Sequence, residues 1–128
     1  MANYHKYTIL IVDDDETLRN ALVYDYKKRG FTVFSAENGT KALELVLTER
    51  IDLVISDIRM PNGDGIELLR KIRERDPRIP VVMFLTGFAE ATEMECLRNG
   101  ATKVFTKPFD RKVLAEAVIA ALETAAAA

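Results

Sequence analysis

A single cysteine, Cys96, stands in the 128 residues, so the chain cannot close an internal disulfide and nothing in it opposes a reducing compartment. An excess of charge is also missing. Eighteen Lys and Arg against twenty Asp and Glu leave a net charge of −2. That balance gives no electrostatic reason to expect nucleic acid or an anionic membrane as the main partner. A long hydrophobic run is lacking too. In the N-terminal stretch MANYHKYTILIVDDD the run before the acidic residues holds five apolar residues, Tyr7 and Ile9 to Val12. This is too short for a signal-peptide core or a membrane span. No linker, repeat or low-complexity segment interrupts the chain apart from the terminal AAAA. What is present, 48% hydrophobic and 30% charged residues, is the composition of a folded globular chain rather than a disordered one. The length suits one domain with one core, spanning 1–128 with its folded part from about residue 6 to 123, and a cytoplasmic location is expected.

The apolar pattern alternates between two periods. YTILIV (Tyr7 to Val12) is a short branched run expected to form a strand buried on both faces. ETLRNALVYDYKKRG repeats Leu18, Leu22 and Tyr26 every four residues and stops at Gly30, as an amphipathic helix does. FTVFSA is expected as a second strand, then NGTKALELVLTER as a helix with Ala42, Leu43, Val46 and Leu47 inward. DLVIS, PVVMFLT and KVFT read as three further strands. They alternate with GIELLRKIRER (Ile66, Leu69 and Ile72 inward), the more polar EATEMECLRNG, and DRKVLAEAVIAALE. The last has Val113, Leu114, Ala117, Val118 and Ala121 or Leu122 on its stripe. Five strands alternating with five helices predict an α/β fold, a doubly wound five-stranded parallel sheet with helices on both faces and right-handed crossovers.

In such a sheet, ligands bind at the carboxyl ends of the strands. The first polar groups there are Asp13, Asp14 and Asp15 after the first strand and Asp57 after the third. Thr86 follows the fourth, and Lys107, with Pro108 behind it, follows the fifth. Each has an ordinary alternative role as a turn former, a helix cap or a solvated surface group. Their coincidence at one edge is what points to chemistry. Two carboxylates about 4 Å apart repel by about 4 kcal/mol at an effective dielectric near 20, so either a proton or a cation must sit among them. Short carboxylates suit a hard divalent ion, and Mg²⁺ also accepts phosphate oxygens as ligands. An ammonium and a hydroxyl opposite would complement the remaining oxygens of a phosphoryl group.

At this point the residues resemble the receiver domain of two-component response regulators, over essentially the whole chain. The matching stretches are ILIVDDDETLR, ENGTKALEL, DLVISDIRMPNGDGIELLRKIR, VVMFLTG and VFTKPFD, specific together and weak singly. The resemblance implies the flavodoxin-like strand order 2-1-3-4-5, as in chemotaxis regulators. It implies that Asp57 is the phosphoacceptor and that Asp13 and Asp14 are the acidic pair. Mg²⁺ would be held by Asp14, Asp57 and the backbone carbonyl of Arg59, with Asp13 acting through water. Thr86 matches the switch hydroxyl, Lys107 the lysine that pairs with the acceptor, and the Lys107–Pro108 bond is expected to be cis. Met60, Pro61 and the Gly63–Gly65 turn match the loop after the acceptor, and Asp15 is expected as a helix cap. The donor would be a histidine kinase or a phosphotransfer protein. Phosphorylation would switch the surface made by the fourth helix, fifth strand and fifth helix, against an output domain, a partner protein or a second copy in a homodimer. Neither direct nucleic-acid contact nor a membrane is expected for this domain.

The chain departs from that pattern in three places. Pro80 to Thr86 is one residue longer than usual in the family, and Thr86 to Gly100 one shorter. An extra strand residue swaps side chains to the opposite face. Since Val81 to Leu85 are all apolar, periodicity does not fix the register, and the preferred expectation is a bulge or a late strand start that keeps Thr86 in place. Val104 stands where an aromatic is common, with Phe105 expected as a core residue beside it. Arg59 and Phe88 occupy variable positions, and a bulky Phe88 is expected to slow loss of the phosphoryl group. Cys96 is expected as a small core residue.

Three competing readings remain beside the receiver. A dehalogenase-type phosphatase would need an aspartate two residues after the nucleophile, where this chain has Arg59. A flavodoxin-like cofactor binder would need a first loop that welcomes phosphate, which Asp13 to Asp15 repel. A phosphorylation-independent interaction module would not need the complete set of site residues. No separate enzymatic turnover is expected, and no output domain is recognisable after residue 123.

Overall fold

Residues 4–62, 64–87 and 90–127 are described in the structure, a computed structural model. The expected positions Gly63 and Phe88 lie outside the described residues. The elements run β1 (Thr8–Val12), α1 (Glu16–Lys28), β2 (Thr32–Ala36), α2 (Gly39–Thr48), β3 (Leu53–Asp57), α3 (Gly65–Arg75), β4 (Val81–Thr86), α4 (Glu90–Arg98), β5 (Lys103–Thr106) and α5 (Arg111–Ala127). The five strands form one parallel sheet in the order β2-β1-β3-β4-β5, as expected.

Strand burial follows from that order. β1, β3 and β4 lie inside the sheet and are almost wholly buried, while β2 and β5 are edges and half open to solvent. Alternation sends successive side chains to opposite faces. Ile9, Ile11, Leu53, Ile55, Val81, Met83 and Leu85 pack with Leu22, Tyr26, Leu114 and Val118 under α1 and α5. Leu10, Val12, Val54, Val82 and Phe84 pack with Ala42, Leu68, Leu69, Ile72 and Cys96 under α2, α3 and α4.

Helix starts are set by short polar caps. Asp15 accepts from the backbone N–H groups of Thr17 and Leu18, as expected for a cap. Asn38 caps α2 through Lys41 N–H, Asp64 caps α3 through Glu67 N–H, and Asp110 accepts from Lys112 and Val113 N–H. Gly65 opens α3 where only glycine fits: a Cβ there would lie 2.5 Å from the Asp57 carbonyl oxygen and 2.7 Å from Phe84 Cε1.

Two inward assignments are corrected. Leu47 is 52% and Val113 51% exposed. At about 100° per residue, Leu47 falls off the stripe centred on Ala42 and Val46, and Val113 lies across from the side of α5 that Ala115 extends. Leu68 joins Leu69 and Ile72 as a buried residue of α3, with Ile66 only half-buried. Cys96 is buried as expected, and burial pushes its thiol up to about 11. Among the described residues no helix is long and apolar enough to cross a membrane.

Candidate functional site

β1 runs out of apolar residues at Val12, so the chain turns on Asp13, which remains 1% exposed. Its backbone N–H donates to the Ala36 carbonyl at 3.1 Å, and its own carbonyl accepts from Arg19 Nη1 at 2.7 Å. The side chain is thereby locked. Oδ1 accepts from Asp15 N–H at 2.8 Å, whereas Oδ2 is buried and has no hydrogen-bond partner among the described residues. Burial pushes the Asp13 carboxyl above the ordinary carboxylate value. The Asp15 N–H and the Lys107 ammonium pull it down, and the charges of Asp57 and Asp14 push it up.

Asp57 closes β3. Its Oδ1 accepts from Ile58 N–H at 2.7 Å, and its Oδ2 accepts from Lys107 Nζ at 3.2 Å. The same ammonium stands 3.8 Å from Asp13 Oδ2, a charge attraction beyond hydrogen-bond reach. Lys107 reaches this point because β5 ends at Thr106 and its own N–H donates to the Thr86 carbonyl at 2.7 Å. The Lys107–Pro108 bond is cis, and so is Ile79–Pro80. Carboxylate oxygens of Asp13, Asp14 and Asp57 all lie within 4.8 Å of one another. A buried carboxylate oxygen with no donor, in a three-carboxylate group with oxygen ligands only, fits a hard divalent cation such as Mg²⁺. Arg59 is exposed two residues beyond Asp57.

The sheet register corrects the expected bulge or late start of β4. β4 begins directly after Pro80 and pairs with β3 without a bulge, from Leu53↔Val81 to Asp57↔Leu85. Leu85 is therefore the residue opposite Asp57. Leu53 and Ile55 point to the α1/α5 side, which by alternation is the side of Asp57, and Leu85 packs on that side. Thr86, one residue later within the strand, falls with Val82 and Phe84 on the other side. It is 1% exposed and contributes its backbone carbonyl to the position of Lys107. The structure thus brings together Asp13, Asp14, Asp57 and Lys107, and its register sets Leu85, not Thr86, opposite Asp57. Sequence reasoning missed Leu85 as a neighbour of the acceptor. The signal was the extra residue between Pro80 and Thr86, whose register a wholly apolar strand does not reveal.

Comparison with known proteins agrees with this fold. The family described as response regulator receiver domain matches residues 9–119. Sporulation initiation phosphotransferase F of Bacillus subtilis is 40% identical over 111 residues, which cover 86% of this chain and 89% of that protein. The regulatory protein AtoC of Escherichia coli is 43% identical over 103 residues, covering 80% of this chain. The aligned part is only 22% of AtoC, so this chain corresponds to a small portion of that longer relative. Among solved structures, the receiver domain of Francisella response regulator 1452 superposes with a TM-score of 0.87 at 27% identity, over 93% of this chain and 98% of that one. A CheY-like receiver domain protein from Methanospirillum hungatei gives 0.87 at 28% identity, over 92% and 94%.

Proposed function

The chain belongs to the response regulator receiver domain family, and from that membership we propose that Asp57 accepts a phosphoryl group from a phosphohistidine on a histidine kinase or a phosphotransfer protein. The observation that carries this reading is the meeting of Asp57 with Lys107 on one side and with Asp13 and Asp14 on the other.

In the proposed reaction an Asp57 carboxylate oxygen attacks phosphorus. The bond from phosphorus to the donor imidazole nitrogen breaks, its electron pair leaves with that nitrogen, and the nitrogen takes up a proton. Asp57 is left as an acyl phosphate. A dianionic phosphoryl group repels the incoming carboxylate, so the work of the site is positioning and charge stabilisation. Ile58 N–H fixes one Asp57 oxygen, and the Gly65 start of α3 lies against the Asp57 backbone. The Lys107 ammonium, 3.2 Å from Asp57 Oδ2, is placed to neutralise phosphoryl oxygens as they approach. Mg²⁺, held by Asp14, Asp57 and the Arg59 carbonyl with Asp13 behind it through water, would supply further positive charge there.

The output side is proposed to be α4, β5 and α5. Met94 (58%), Leu97 (44%) and Val113 (51%) expose apolar side chains on its two helices, which a partner or a second copy would cover.

Acetyl phosphate with Mg²⁺ tests the reading. Intact-mass measurement is expected to show one added phosphoryl group, absent with a chelator and absent in Asp57→Asn. Turnover of the donor without a stable adduct would favour a phosphatase, and no reaction at all would favour a phosphorylation-independent module.

A further inference from the structure

The register that sets Leu85 opposite the acceptor lines up a continuous row of side chains across three strands. Asp57 pairs with Leu85, and Leu85 pairs with Phe105. Directly paired residues in neighbouring strands point to the same face, with Cβ atoms about 5 Å apart. On this face Leu85 is 1% exposed, and it packs in one cluster with Leu114 and Val118 of α5, against which Phe105 also packs. Lys107, two residues beyond Phe105 and on the same face by alternation, returns to Asp57 at 3.2 Å. An apolar side chain therefore links the acceptor to the β5 edge and α5, where a polar one would have offered a hydrogen bond.

We propose that Leu85 is the positioning residue through which a phosphoryl group on Asp57 is sensed at β5 and α5, with Phe105 as the receiving side chain. The inference rests on the phosphoacceptor reading of Asp57 and adds the route by which that site is read. A larger, doubly charged group on Asp57 cannot share space with a close-packed leucine. Leu85 must shift, and an interior packed to crystal density passes the shift to its contacts. The route uses displacement of packed side chains and needs no hydroxyl from β4.

The test compares wild type, Leu85→Ala, Thr86→Val and Phe105→Leu with acetyl phosphate and Mg²⁺. Backbone amide shifts at Phe105, Leu114 and Val118 are followed by NMR and scaled to the phosphorylated fraction measured by intact mass. Wild type is expected to show shifts at all three. Leu85→Ala is expected to reduce them at least about threefold, and Thr86→Val to leave them within about twofold. Phe105→Leu substitutes at a half-buried edge position that tolerates change. It serves where Leu85→Ala does not fold, and is expected to cut the Leu114 and Val118 shifts by a similar factor. Full shifts in Leu85→Ala or Phe105→Leu, or their loss in Thr86→Val, would overturn the route while leaving the acceptor intact. Failure of wild type to gain a phosphoryl group would instead overturn the acceptor reading itself.

Discussion

Asp13 and Asp25 are both nearly cut off from solvent, at 1% and 7% exposure, and the chain treats them in opposite ways. Asp25 on α1 is gripped by both arms of Arg111 at the start of α5, Nε to Oδ2 at 2.7 Å and Nη2 to Oδ1 at 2.8 Å. That fork holds its carboxyl below the ordinary value, and the pair staples two helices whose residues are 86 positions apart. Asp13 has one oxygen on Asp15 N–H and the other with no hydrogen-bond donor among the described residues, 3.8 Å from the Lys107 ammonium and beside two more carboxylates, and burial pushes its carboxyl up. A buried unpaired acceptor costs about 1–3 kcal/mol. The pairing of Asp25 serves the fold, whereas the incomplete hydrogen bonding of Asp13 is what the proposed cation would complete.

Exchanging the pairing breaks the contrast in measurable ways. The largest effect is expected at Lys107, whose ammonium lies 3.2 Å from Asp57 and 3.8 Å from Asp13. Lys107→Met should slow phosphoryl uptake by about 100-fold, the scale for removing one preorganised charge donor, as followed by the rate of adduct formation with acetyl phosphate. Arg111→Met should leave that rate within about twofold. It should instead lower stability by about 1–2 kcal/mol in urea denaturation, a charge-assisted hydrogen-bond loss discounted because the guanidinium is half exposed. Asp13→Asn should move stability the other way. It relieves repulsion among the acidic groups and is expected to raise the metal-free stability by about 1 kcal/mol in the same denaturation series.

The smallest effect is in acid. Asp25 carries a folded-state carboxyl held below its unfolded value, so its share of stability is complete above about pH 4. That share is lost as pH falls through the depressed folded value. The stability gap between wild type and Arg111→Met should therefore narrow below about pH 4 and stay constant from there to neutrality. A gap that widened in acid would show that Asp25 is not the partner that matters.

The same two aspartates mark what the sequence makes legible. Asp13 and Asp14 end an apolar run at the carboxyl edge of a parallel sheet, and strand order makes that edge a site, so they, Asp57 and Lys107 could be read before any coordinates. Asp25 lies in the middle of a charged helical stretch, and no local pattern ties it to an arginine 86 residues away. The register of β4 is illegible in the sequence for a different reason. Val81 to Leu85 are all apolar because the strand is buried on both faces, so a period of two leaves no trace and the face of Thr86 is set only by pairing with β3. Leu47 and Val113 were misplaced because an apolar residue at the border of a helical stripe looks the same whether it packs or not.

The acidic cluster is proposed to be left incomplete for a divalent cation. Thermal unfolding across a Mg²⁺ titration tests it most directly. At a hundredfold excess over the dissociation constant, binding to the folded chain adds about 2.7 kcal/mol, so the wild-type Tm should climb by about 10 °C. In the double variant Asp13→Asn, Asp14→Asn it should stay flat. A wild-type Tm unmoved by Mg²⁺, or one that climbs equally in the double variant, would contradict the account.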